Sequence, residues 1–133
     1  MKKDIEIPKV KDVYIAIAKE WNDDFSSNDW NVYLINDSRE AMESVMIMSR
    51  GKHEDGRKTA TFRHAFKVVA AKSSIKVELI MPEVFGFENE FILTYFQNGK
   101  LYDTVFTAPP HSIDEKAAST APVMDIEAVV LNP

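Results

Sequence analysis

The stretch from Glu90 to Thr107, EFILTYFQNGKLYDTVFT, constrains this chain more than any other. Two runs rich in β-branched and aromatic residues flank the dipeptide Asn98-Gly99. Asn-Gly accepts positive φ at both positions, as a two-residue type I′ turn requires, so the segment reads as a tight β-hairpin. The short loop also fixes the pairing. On one face Phe96 opposes Leu101, Thr94 opposes Asp103 and Ile92 opposes Val105. On the other, Tyr95 opposes Tyr102, Leu93 opposes Thr104 and Phe91 opposes Phe106. Both faces are largely apolar, whereas a hairpin with one face in water alternates apolar and polar residues. One face therefore enters a core, and the other is covered by a loop, the C-terminal tail or a second subunit. The row Phe91, Tyr95, Tyr102 and Phe106 is the expected interaction surface.

The same period-2 pattern recurs along the chain. Asp12 to Trp21 alternates with Val13, Ile15 and Ile17 on one side. Trp30 to Asn36 and Ala41 to Ser49 read as two further strands, with a polar turn at Asp37 to Glu40 between them, or a short helical turn over Asp37 to Met42. Arg57 to Ala70 reads as a half-buried strand, with Phe62, His64, Phe66 and Val68 on one face and Arg57, Arg63 and Lys67 on the other. Ser74 to Met81 places Ile75, Val77 and Leu79 inward and stops at Pro82, which cannot donate to a ladder. Beyond Pro109-Pro110 the chain is small and polar until Val123 to Leu131, a candidate last strand.

About seven or eight short strands with no long helix point to an all-β fold. The expectation is an antiparallel β-sandwich, with a small β-barrel as the alternative. Residues 1–108 read as the all-β domain, and 109–133 as a tail whose last strand packs on that domain or on a neighbouring subunit.

With 133 residues the chain can bury a single core without staples. The absence of cysteine excludes disulfides and thiolate metal sites. The opening MKKDIEIPKVKD lacks the apolar run of a secretory signal, and no apolar run approaches the length of a membrane span. A soluble cytoplasmic protein is expected, with no membrane partner. The net charge of −5 conceals a basic middle: between Arg50 and Val77 eight Lys and Arg residues face two acidic ones.

That basic strand offers Arg57, Arg63 and Lys67 as an anion-binding set, and nucleic acid is the alternative partner it suggests. Phe62 and Phe66 alternate to the opposite face, however, away from the position a base-stacking platform needs. His53, Glu54, Asp55 and His64 could serve a metal-dependent enzyme, yet no HxH or HExxH spacing is present, so no metal or cofactor is expected. The oxygen-rich stretch Asn22 to Asp29 lacks the glycine and terminal glutamate of an EF-hand and reads as a turn. His111 beside Ser112 is a neighbour pair, and no nucleophile elbow or phosphate loop accompanies it. No catalytic residue is expected.

The segments DVYIAIAKEWNDDF, DWNVYLIND and NEFILTYFQNGKLYDTVF resemble a group of small bacterial proteins of no assigned activity. Some of that group carry a phenylalanyl-tRNA synthetase label. The chain has neither the length nor the ATP-gripping motifs of a class II synthetase, so the resemblance implies a family and carries over no functional residue. The reading is a non-enzymatic binding or assembly module, homo-oligomeric or with a protein partner, working through the aromatic hairpin face.

Overall fold

The computed structural model describes residues 8–133. Residues 1–7, which open the segment weighed as a secretory signal, lie outside the described residues. The strands are β1 (Val13–Asn22), β2 (Ser27–Asn36), β3 (Met42–Lys52), β4 (Phe62–Val69), β5 (Ser73–Ile80), β6 (Glu88–Gln97), β7 (Lys100–Ala108), β8 (Ser119–Thr120) and β9 (Glu127–Leu131). They form two antiparallel sheets, one ordered β5-β2-β1-β9-β8 and the other β4-β3-β6-β7. Neither closes on itself, so the fold is a β-sandwich rather than a barrel.

The core follows from the alternation. Val13, Ile15 and Ile17 of β1, and Val32 and Leu34 of β2, project inward from the five-stranded sheet. Val45 and Ile47 of β3, Phe91, Leu93 and Tyr95 of β6, and Phe106 of β7 meet them from the other sheet. Complete burial of each large apolar side chain contributes about 1.5–3 kcal/mol.

The β6–β7 hairpin has the register its turn dictates, with Phe96 opposite Leu101 and Tyr95 opposite Tyr102. Asn98 and Gly99 both take positive φ, 51° and 73°. No helical turn follows β2. The buried Asn36 side chain shapes that bend instead, donating to Glu40 O, Val69 O and Ala70 O at 2.9–3.1 Å and accepting from Ser38.

Two irregularities redirect side chains. In β3, Ser44 has φ of 48°, and the register against β6 shifts between Glu43 and Met46. In β5, Val32 opposes Glu78 while Tyr33 opposes Lys76, which leaves Val77 as an extra residue. A bulge of this kind turns the next side chain to the other face.

From Pro109 the chain crosses to the five-stranded sheet. Ile113 enters the core, and β9 pairs with β1, Ile15 opposite Leu131 and Ile17 opposite Val129. The turn between β8 and β9 lies on the sheet's outer face, where Ala121, Met124 and Ile126 pack against Ala16, Ala18 and Ile35. The small alanines of β1 allow that close approach. Of Val123–Leu131, read as one strand, only the second half is extended, because Val123 and Asp125 adopt positive φ in the turn.

Candidate functional site

The structure reverses the assignment of the hairpin's two faces. Phe91, Tyr95 and Phe106 are 1%, 1% and 0% exposed, so they build the core and cannot form an interaction surface. Tyr102 is half-buried against them, its ring stacked on Tyr95 with centroids 5.1 Å apart and planes within 7°. Burial, with the neighbouring Tyr102 adding to it, pushes the Tyr95 hydroxyl up to about 12. The physical reason is that this row meets Ile15, Ile17 and Leu34 of the five-stranded sheet, whereas among the described residues no element covers the opposite row.

The tail covers the other sheet, so the hairpin's outer face stays bare. Phe96, Leu101 and Val105 there are 44–51% exposed. The surface extends across the sheet through Met46 and Val68, 52% and 54% exposed, with Met48 and Ile92 partly exposed in the row beyond Met46. Val68, placed inward by simple alternation, faces out because it pairs with Glu43 next to the distortion at Ser44.

Registered rows organise this face. One runs Arg63, Met48, Ile92, Val105; the next Ala65, Met46, Thr94, Asp103; the third Val68, Glu43, Phe96, Leu101. A shallow depression of about 300 Å³ lies over the sheet, lined by Ser44, Met46, Ala65 and Lys67 among others.

Of the expected anion-binding set, Arg63 and Lys67 are exposed on β4 and have no ion-pair partner among the described residues. Arg57 does not join them. It lies in the loop before β4, with Nε 2.7 Å from Asp55 Oδ2 and its guanidinium over the Phe87 ring. The bond from the Arg57 backbone N–H, reinforced by that guanidinium, holds the Asp55 carboxyl below the usual carboxylate range.

His53 and His64 also serve separate partners. His53 Nδ1 accepts from the Asp55 backbone N–H at 3.1 Å, and its ring meets Phe87 edge to face. His64 projects inward from β4 with Nε2 2.9 Å from Glu78 Oε1. Among the described residues no group of three or more His, Cys, Asp or Glu stands together as a metal site.

Glu78 belongs to a second candidate site, between the edge strands β4 and β5. The bulge at Val77 aims its carboxylate into the sandwich opposite Val32. There it accepts from Ser49 Oγ, 2.8 and 2.9 Å from its two oxygens, and from His64 Nε2–H. The carboxylate is mostly buried, and a cleft of about 300 Å³ opens above it. Phe62, Ile80, Met81, Val84 and Phe91 supply its apolar walls.

Sequence reasoning missed Ser49 and Glu78. Strict alternation in β5 places Leu79 inward, but Leu79 is exposed and Glu78 is inside. A polar residue between two apolar ones is the usual sign of an outward position, so only the bulge reveals it.

Trp30, one of the two tryptophans flanking the first turn, packs edge to face on Phe85 at the core, whereas Trp21 is exposed and donates Nε1–H to Asp23. The turn itself is held by Asn22 Oδ1, which accepts from the backbone of Asp24.

The geometry thus defines an antiparallel two-sheet sandwich that carries, among its described residues, a bare apolar face and a lateral cleft above Glu78. No helix among the described residues is long and apolar enough to cross a membrane. No protein-family model, curated protein or solved structure matches the chain.

Proposed function

We propose that this chain is a binding and assembly module rather than an enzyme, and that its partner is a second copy of itself. The observation that carries the reading is the bare outer face of the four-stranded sheet, where every strand contributes an exposed or half-exposed apolar side chain: Val68, Met46, Phe96, Leu101 and Val105 with Met48 and Ile92. Monomers rarely leave so many large apolar side chains together on one sheet face in water.

The charges at the margins of this face support a second copy as the occupant. Asp103 on β7 shares a row with Ala65 on β4, at the opposite edge of the sheet. Arg63 and Lys67 flank Ala65 on the same face, each about 7 Å along the strand. A two-fold axis parallel to the strands, through the middle of the sheet, lays β7 of each copy over β4 of the other. Asp103 then enters the depression at Ala65 between two cations, and the apolar rows close over one another at about the 10 Å spacing of packed sheets. Such an interface is isologous, with the same contact made twice.

Sedimentation equilibrium tests the reading. The expected result is a dimer for the unaltered protein and a monomer of unchanged stability for Met46→Lys, since residue 46 is half in solvent already. An unaltered protein that stays monomeric at high micromolar concentration overturns it.

A further inference from the structure

We infer that the lateral cleft above Glu78 is a binding site for a small apolar primary amine, held as its ammonium ion. The inference is independent of self-assembly, because the cleft opens at the side of the sandwich, between the edge strands β4 and β5.

The first support is the direction of the carboxylate. Regular alternation would leave Glu78 in water on the outer face with Lys76. The extra residue Val77 turns it inward, beside Val32 and the core. Enclosing a carboxylate is costly unless hydrogen bonds compensate, and a bulge that re-aims a side chain into a cleft is a recurrent feature of functional sites.

The second support is how it is held. Ser49 and His64, from two strands of the opposite sheet, both donate to Glu78, and both hydrogen bonds are within 2.9 Å. A carboxylate offers about four lone-pair sites. Oε1 takes both donors, while Oε2 takes only a share of the Ser49 hydroxyl. Oε2 therefore keeps acceptor capacity, fixed in position by its neighbours.

The third support is the chemistry of the walls. The cleft volume of about 300 Å³ matches the space of about ten water-sized groups. Its only cation, Arg50, has Nε 3.4 Å from Glu90, the other lining carboxylate. An anionic ligand would thus meet Glu78 with no free countercharge. An ammonium head is complementary to Glu78, and the rings of Phe62 and Phe91 favour both a cation and the alkyl chain behind it. A chain of about six carbons suits the space.

The test is a titration of the ¹⁵N-labelled protein at neutral pH with n-hexylamine, n-hexanol and hexanoate, followed by amide shifts. The expected result is saturable binding of hexylamine, with shifts at Ser49, Phe62, Glu78 and Met81, at least tenfold tighter than hexanol and with no hexanoate binding. Glu78→Gln should bring hexylamine to the level of hexanol. Met81→Trp, which fills the half-exposed rim and leaves the carboxylate's hydrogen bonds intact, should abolish binding of both. Equal binding of hexylamine and hexanol, preference for hexanoate, or hexylamine shifts that persist in Met81→Trp would overturn the assignment. Should Glu78→Gln fail to fold, the ligand comparison and Met81→Trp decide the matter.

Discussion

Glu78 and His64 stand 2.9 Å apart although their strands, β5 and β4, belong to different sheets. With Ser49 they form a polar tie across one open side of the sandwich, beside the apolar contacts of Phe66, Val77 and Ile80.

That tie has a measurable strength. Ser49 is buried and its hydroxyl donates to an anion, an interaction worth about 1.5–3 kcal/mol when removed. Ser49→Ala is expected to lower the stability by that amount in urea unfolding, with an unchanged m-value. An unaltered midpoint would show that the tie contributes nothing to the fold.

Gly51 is a second point of close approach. A Cβ there would lie 2.9 Å from Asn89 Oδ1 and 3.0 Å from Thr59 Cγ2. Neither neighbour can yield easily, because Asn89 is buried and donates to Val84 O and Phe87 O, while Thr59 Oγ1 accepts from Gly51 N–H. Overpacking costs roughly 1–3 kcal/mol, more than the roughly 0.4–1 kcal/mol that alanine gains by restricting the unfolded chain. Gly51→Ala should therefore destabilise, and a raised melting temperature would contradict this packing.

Two tyrosines make the fold sensitive to alkali. Burial raises Tyr33 to about 12, helped by its hydrogen bond to Glu20 at 2.5 Å, and burial likewise raises Tyr95 to about 12. Their ordinary value is 10.0. Between pH 10 and 12 the unfolded chain releases these protons first, so stability is full below pH 10 and falls as pH rises through that window. Absorbance at 295 nm should show late ionisation coincident with this loss, reduced by one tyrosine in Tyr33→Phe. Ionisation of all four tyrosines by pH 11 in the folded state would contradict it.

The hairpin register was legible because a two-residue turn leaves only one pairing, and the sandwich because short alternating runs without a long helix allow little else. Which hairpin face is inside was not legible. Period-2 alternation separates two faces without saying which is the core, and here both are apolar. The decisive partners, Ile17 and Leu34 of the facing sheet, are distant in sequence, and so is the tail, which covers the outer face of that other sheet rather than the hairpin. Glu78 and Val68 were hidden for another reason. Each sits beside one irregular residue, Val77 or Ser44, and a single inserted residue reverses the facing of its successors along the strand. Nothing in the local composition of either strand marks that insertion.

Charge reversal in two separate proteins tests whether two copies meet through the face carrying Asp103, Arg63 and Lys67. Asp103→Lys would set a lysine between Arg63 and Lys67 of its partner, and the double substitution Arg63→Asp with Lys67→Asp would set two carboxylates around Asp103. Each variant alone should sediment as a monomer. An equimolar mixture should form a heterodimer, because both contacts of the two-fold interface then join opposite charges. Two variants that each keep the mass of the unaltered protein, or a mixture that remains monomeric, would contradict the proposed dimer.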